Sequence, residues 1–137
     1  MKPTLVDTDI LSMYFRGNHT VIANFDNYNR EYGKANLSII TYYEIISGLK
    51  HRDAKKQLES FLSFSSQNTI LLLTEESASV SAEIYANLRK KGQPIDDIDL
   101  LIAGIAVSNN MVLTTNNEDD FKRIQNLEIV NWSKKEY

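Results

Sequence analysis

The chain has 137 residues, 42% hydrophobic and 24% charged, which is the composition of one soluble domain with a substantial core over residues 1–137. Its formal net charge of −3 argues against a protein that coats nucleic acid through overall positive charge, but not against an enzyme with a local basic patch. The absence of cysteine excludes disulfides, thiolate metal sites and a cysteine nucleophile.

The chain shows no feature of a membrane or secreted protein. Its longest apolar runs, residues 70–73 and 100–107, are far shorter than the roughly 20 residues that span a bilayer. Met1-Lys2-Pro3 leads directly into a candidate strand, without the apolar core of a signal peptide. We therefore expect a cytoplasmic protein that does not contact a membrane.

The first half of the chain predicts alternating strands and helices. Thr4-Leu5-Val6 is a short apolar strand, and helical spacing begins just after it, beyond Asp7-Thr8-Asp9. A second helix follows, and a second strand should cover residues 35–40. Thr41 is then placed to cap a third helix, with Glu44 in the capping-box position.

The second half continues the alternation. A strand over residues 69–73 precedes Thr74, which should cap the next helix. After Gly92 and Pro94, Asp96 or Asp97 can cap a helix that is apolar on most sides, so this helix should be buried. The remaining predicted elements are a strand over 111–115, a short helix over 118–124 and a strand over 128–130.

This alternation predicts an α/β fold: a single domain with a central, mostly parallel five-stranded sheet and helices on both faces. In such sheets the binding crevice lies outside the carboxyl ends of the strands. Several acidic and amide side chains follow those ends or begin the helix that leads into the fourth strand, so we expect them on one edge of the sheet. They are Asp7, Glu44, Asp99, Asn117 and Asp120.

Three blocks resemble the PIN-domain ribonucleases, and more narrowly the VapC toxins of bacterial toxin–antitoxin pairs. They are residues 5–11 (LVDTDIL), 38–48 (SIITYYEIISG) and 92–103 (GQPIDDIDLLIA). A fourth block, residues 112–121, and the closing segment 127–132 also fit the family, so the resemblance covers nearly the whole chain in order.

The resemblance implies a magnesium-dependent endoribonuclease, in which manganese can substitute. It identifies Asp7, Glu44 and Asp99 as the catalytic acids and, with Asn117, as the metal-binding set. Asp120 is the nearest acid that could compensate for Asn117 at the fourth acidic position. The residues expected to orient the site through hydrogen bonds are Thr8, Thr115 and Asp9, the last of which replaces the asparagine usual in the family.

The same resemblance implies an RNA substrate, a cognate antitoxin protein and a homodimer. The residues considered for contact with RNA phosphates are Arg16, Lys50, Arg52 and Lys55, although a plain solvated basic face is the preferred interpretation of the last three.

Two other functions fit parts of the sequence. Asp7-Thr8-Asp9 has the Asp-x-Asp spacing of phosphatases of the haloacid dehalogenase type, but that class would not explain Glu44 or Asp99. A catalytically silent PIN domain that binds RNA or a protein partner is compatible with the departures at Asp9 and Asn117. A phosphatase would hydrolyse a phosphomonoester. A silent PIN domain would bind metal without cutting RNA.

Overall fold

A computed structural model describes residues 2–135. This part of the chain forms seven helices around one sheet of five strands. The strands are β1 (Thr4–Val6), β2 (Asn36–Ser38), β3 (Thr69–Leu71), β4 (Val112–Thr114) and β5 (Ile129–Val130). The helices are α1 (Thr8–Phe15), α2 (His19–Tyr32), α3 (Ile39–His51), α4 (Lys55–Ser66), α5 (Glu75–Lys90), α6 (Asp97–Ser108) and α7 (Glu118–Phe121).

The sheet is parallel throughout and has the strand order β3-β2-β1-β4-β5. The predicted five-stranded α/β fold is confirmed, and all four strand pairings are parallel rather than most of them. β1 lies at the centre, with Leu5 opposite Asn36 of β2 and Leu113 of β4. The carboxyl ends of all five strands consequently face the same edge of the sheet.

The predicted strands are longer than those observed, because flanking apolar residues either begin the next helix or lie outside regular structure. Ile39 and Ile40, predicted as the end of the second strand, already form the first turn of α3. Leu72 and Leu73 lie beyond the end of β3 and are exposed, at 63% and 43%. The short helix α7 ends at Phe121 rather than at Ile124.

Two hydrophobic clusters cover the sheet. One joins residues of α1, α2, α3 and α4, including Tyr28, whose hydroxyl accepts a hydrogen bond from the backbone N–H of Thr4. The other joins α6 to β1 and β4 and includes Phe121. Nearly all of α6 from Leu100 to Ala106 is buried, as predicted. Within residues 2–135, no helix combines the length and apolarity needed to cross a membrane.

The helices α5 and α6 approach closely at Gly104. A Cβ atom placed on Gly104 would overlap the Ser81 hydroxyl oxygen and lie 2.5 Å from the carbonyl oxygen of Ser77. The Ser81 hydroxyl donates a hydrogen bond of 2.7 Å to the carbonyl of Leu100. This contact fixes the position of α6, whose first turn carries Asp99.

Candidate active site

Parallel strands bring polar residues from three parts of the chain to one edge. Asp7 caps α1 directly after β1, Thr115 directly follows β4, and Ser38 ends β2 as the cap of α3. The N–H of Asp7 also donates to the carbonyl of Thr114 at 3.0 Å, which joins the first two of these chain segments. Residues more than a hundred positions apart are thereby held in contact.

Asp7 is a buried carboxylate, only 5% exposed. Its Oδ1 accepts a hydrogen bond from the N–H of Thr8 at 2.8 Å, and its Oδ2 accepts one from the Thr115 hydroxyl at 2.7 Å. Burial is the main cause that raises the pKa of Asp7 from 3.8 to about 7, and the neighbouring charge of Asp9 adds to it. At neutral pH this site therefore resists carrying its negative charge unless a cation compensates it.

Glu44 is held by Thr8 and not by a capping box. The Thr8 hydroxyl donates to Glu44 Oε1 at 2.6 Å and lies 2.9 Å from the Thr41 hydroxyl. The cap of α3 is Ser38, whose side-chain oxygen accepts the N–H of Thr41 at 3.0 Å. The prediction that Thr41 caps the helix with Glu44 as its partner is wrong, because the helix begins at Ile39 and its cap, Ser38, lies three residues before Thr41.

The hydroxyls of Ser38, Thr41 and Thr8 form a chain that ends on Glu44. Ser38 Oγ donates to Thr41 Oγ1 at 3.3 Å, so the Thr41 hydroxyl can donate to Thr8 while Thr8 donates to Glu44. The first two residues are fully buried. The sequence alone did not indicate this role for Ser38 or Thr41, since serine and threonine are both common as plain helix caps.

Asp99 lies in the first turn of α6, where Asn117 reaches it from the turn after β4. Asn117 Nδ2 donates to Asp99 Oδ2 at 3.4 Å and to Asp120 Oδ2 at 3.1 Å. The pKa of Asp99 is raised from 3.8 to about 6 by burial, and then by the charges of Asp96 and Glu44. Asp96 occupies the N-cap position of α6, one of the two positions predicted, but its side chain makes no capping hydrogen bond.

Asp9 fixes the turn that carries Asn117. Its Oδ1 accepts the N–H of Ile10 at 2.7 Å and its Oδ2 accepts the N–H of Asn116 at 3.1 Å. Asn116 is in turn contacted by Asn131, whose side chain also donates to Glu118. Asn116 and Asn131 were not predicted as site residues, because nothing in their spacing indicates that the segment around residue 131 returns to this turn.

The basic residues considered for RNA binding separate into two groups. Arg16 and Arg52 line one groove between α1, α3 and α4, together with Lys56. Lys50 is exposed but does not line that groove. Lys56 was not predicted as an RNA-binding residue, and only the packing of α4 beside α3 brings it to the groove.

The donors at this edge suit a hard divalent cation. They are carboxylate and amide oxygens, the ligands that magnesium and manganese prefer, and burial with mutual repulsion raises the pKa of Asp7 and Asp99. Within residues 2–135, however, no three acidic or histidine side chains stand close enough to form a ready-made metal cluster. The carboxylates repel one another, so they would have to move inward together around a cation.

The chain is similar to VapC proteins of known name. Residues 4–127 match the PIN domain family. A ribonuclease VapC1 from Methanocaldococcus jannaschii is 33% identical over 121 residues, which are 88% of this chain and 80% of that protein. A tRNA(fMet)-specific endonuclease VapC from Shigella flexneri is 28% identical over 134 residues, which are 97% of this chain and 100% of that protein.

The fold also matches a solved complex. A chain in the crystal structure of DNA-bound VapBC from Salmonella typhimurium aligns with a TM-score of 0.85 at 29% identity, over 96% of this chain and 99% of that chain. These similarities agree with the parallel α/β sheet. The chain therefore belongs to the PIN-domain family and, within it, to the VapC ribonucleases.

Proposed function

We propose that this protein is a magnesium-dependent endoribonuclease that acts as the toxin of a toxin–antitoxin pair. The observation that carries the proposal is the buried carboxylate of Asp7, which shares the carboxyl edge of the sheet with Asp99 and Glu44. PIN-domain ribonucleases are metal-dependent in general, and the oxygen donors of this site favour Mg²⁺, with Mn²⁺ as a substitute. The proposed ligands are Asp7, Asp99, Glu44 and Asn117.

A bound divalent cation would supply activation of the attacking water and neutralisation of charge on the phosphodiester. The side chains of the protein prepare for this in different ways. Thr115 and the N–H of Thr8 hold both oxygens of Asp7, and Thr8 fixes one oxygen of Glu44. No hydrogen bond within residues 2–135 engages Glu44 Oε2, so this oxygen is available to take a proton from the water.

Besides its proposed role as a ligand, Asn117 orients two acids when no cation is bound. In the structure its amide nitrogen faces Asp99 and Asp120. A ligand role would require its amide oxygen to turn towards the cation, and Asp120 then becomes available as the compensating acid. Asp120 also lies 3.6 Å from Arg123, so its charge is partly balanced within the protein.

The phosphatase alternative finds no support at Asp9. The second aspartate of that motif must donate a proton to a leaving group, whereas both oxygens of Asp9 accept backbone N–H groups. These two bonds hold the carboxylate against the backbone, and they only partly offset the burial that raises the pKa of Asp9. A structural role for Asp9 is the better interpretation.

The proposed partners are RNA, an antitoxin and a second copy of the chain. The structural similarity to VapBC complexes supports the antitoxin. The homodimer is proposed from the resemblance to the VapC toxins, and the exposed apolar residues Tyr43 and Leu72, at 64% and 63%, are candidates for its interface. The proposed location is the cytoplasm, where both RNA and an antitoxin are present.

The test is incubation of antitoxin-free protein with total bacterial RNA and separately with initiator tRNA, in Mg²⁺ or Mn²⁺. We expect discrete fragments that disappear with EDTA and in Asp99→Asn. Asp26→Asn, a substitution of an exposed acid on α2, is the matched control and should retain activity. Intact RNA together with metal binding would indicate a silent PIN domain, and hydrolysis of a phosphomonoester would indicate a phosphatase.

A further inference from the structure

A groove of about 740 Å³ lies between α1, α3 and α4, and we call it the basic groove. Its floor is apolar and includes the buried Leu49 and Phe61. Three exposed cations, Arg16, Arg52 and Lys56, surround this floor. No acidic residue is among those that line it. A locally cationic surface thus exists on a protein whose formal net charge is −3.

The three cations are not compensated by the protein. Every salt bridge within residues 2–135 involves other basic residues, and none of these three side chains makes a hydrogen bond in that range. Arg52 extends back along α3, where a Cβ on Gly48 would come within 3.6 Å of its Nη1. Uncompensated cations in a concave site favour an anionic ligand.

Two of the helices that line the groove also carry residues of the acidic edge. α1 begins at Thr8, which contacts Glu44, and its far end carries Phe15 and Arg16 on the groove. Eight helical residues span about 12 Å, which is roughly the rise of three to four stacked nucleotides. On α3, Ile45 lines the groove and directly follows Glu44 in the sequence.

The observations favour RNA over a protein segment as the occupant. A polyanion must approach an acidic cleft, and cations one helix length away would offset the repulsion. Phe15 is 41% exposed at the groove and offers an aromatic surface on which a base can stack. An apolar peptide would use the floor but would leave the three charges without partners.

We propose that the basic groove binds phosphates of a single-stranded RNA segment flanking the scissile bond. The proposal rests on the proposed ribonuclease function and assigns the groove to the substrate. Arg16, Arg52 and Lys56 hold the flanking phosphates, and the acidic edge receives the bond to be cut. Recognition of this kind depends on charge and chain length more than on base sequence.

The test compares two double variants that each remove two positive charges. Arg52→Gln/Lys56→Gln changes the groove, and Lys34→Gln/Lys55→Gln changes exposed lysines that do not line it. Lys55 and Lys56 are neighbours on α4, so the two variants differ mainly in position relative to the groove. Binding is measured in an Asp99→Asn background, by fluorescence anisotropy, with random-sequence RNAs of about 4 and about 12 nucleotides, at about 50 to 200 mM salt.

We expect the groove variant to bind the longer RNA about tenfold more weakly than the control variant. The slope of the logarithm of its binding constant against the logarithm of the salt concentration should be less steep by about 1.4, for two lost phosphate contacts. Binding of the shorter RNA should be alike in both. If the wild-type protein cuts no RNA, the ribonuclease function itself fails.

Equal RNA binding by the two double variants would overturn the proposal while leaving the ribonuclease function intact. Loss of antitoxin binding in the groove variant, with RNA binding unchanged, would also overturn it and would assign the groove to the protein partner. Circular dichroism of both variants shows whether each is folded.

Discussion

At the scale of single residues, burial of Asp7 makes the stability of the metal-free protein depend on pH. The folded state holds a proton on this carboxyl up to about pH 7, whereas the unfolded chain releases it near 3.8. Between these values the folded state binds more protons, so the free energy of unfolding falls as the pH rises. This loss of stability is absent below pH 4 and complete above about pH 7.

We therefore predict that, in EDTA, the protein loses on the order of a few kcal/mol of stability from Asp7 between pH 4 and pH 7.5. Urea unfolding at a series of pH values measures it. Asp7→Asn should flatten this dependence and be more stable than the wild type above pH 7. Asp26→Asn, at an exposed position, should leave the slope unchanged, and an equal slope in Asp7→Asn would contradict the prediction.

Thr8 provides a second prediction, because its hydroxyl holds Glu44 at 2.6 Å. Thr8→Val keeps the shape but removes the donor, so we expect kcat to fall by roughly tenfold to a hundredfold, with KM little changed. Thr8→Ser retains the hydroxyl and should restore most of the activity. Steady-state kinetics on the mapped RNA would decide; a valine variant as active as the serine variant would exclude this positioning role.

At the scale of elements, two glycines within helices are predicted to behave in opposite ways. Gly104→Ala would force a methyl group onto Ser81 and Ser77, so we expect a loss of about 1 to 3 kcal/mol. Gly48→Ala meets only the end of Arg52, at 3.6 Å, and should be neutral or stabilising by up to about 1 kcal/mol.

Urea unfolding measures both variants. Adding Ser81→Ala to Gly104→Ala removes the overlapping hydroxyl and should recover part of the loss. The recovery cannot be complete, because the Ser77 carbonyl remains close and the hydrogen bond to Leu100 disappears. If both glycine substitutions proved harmless, α5 and α6 would not pack as tightly at Gly104 as the structure indicates.

The alternation of elements could be predicted from the sequence, because short apolar strands and helical spacing are local signals. The positions of Asp7 and Asn117 after strand ends were predictable from the same local signals. So was the capping of α5 by Thr74, which is confirmed because the Thr74 side chain accepts a hydrogen bond from the N–H of Ser77. The strand order was not predictable, since pairing depends on packing between distant segments. For the same reason, only the structure reveals that Thr115 contacts Asp7 and that Arg16 and Lys56 line one groove.

At the scale of the whole molecule, the proposed homodimer can be tested at one edge of the sheet. β3 is an edge strand, and Leu72 immediately follows it with 63% of its surface exposed. We predict that Leu72→Lys shifts the protein towards the monomer, because a charge in an apolar interface is costly. Light scattering after size-exclusion chromatography gives the mass of each species.

Leu62→Lys on α4 is the control, since it places the same charge on another exposed leucine. It should leave the mass unchanged. A wild-type protein that remains monomeric at the highest concentration tested would contradict the proposed dimer, whatever the variants do.

The contacts of Thr115 have a consequence for genetic selection. Its hydroxyl donates to Asp7 and also accepts the N–H of Asn117, so one oxygen serves two segments of the site. Serine is the one other small side chain that carries such a hydroxyl at this distance from the backbone. If expression of this protein arrests growth, random mutagenesis will yield surviving colonies. Among the survivors substituted at position 115, alanine, isoleucine and proline should occur, and serine should be missing.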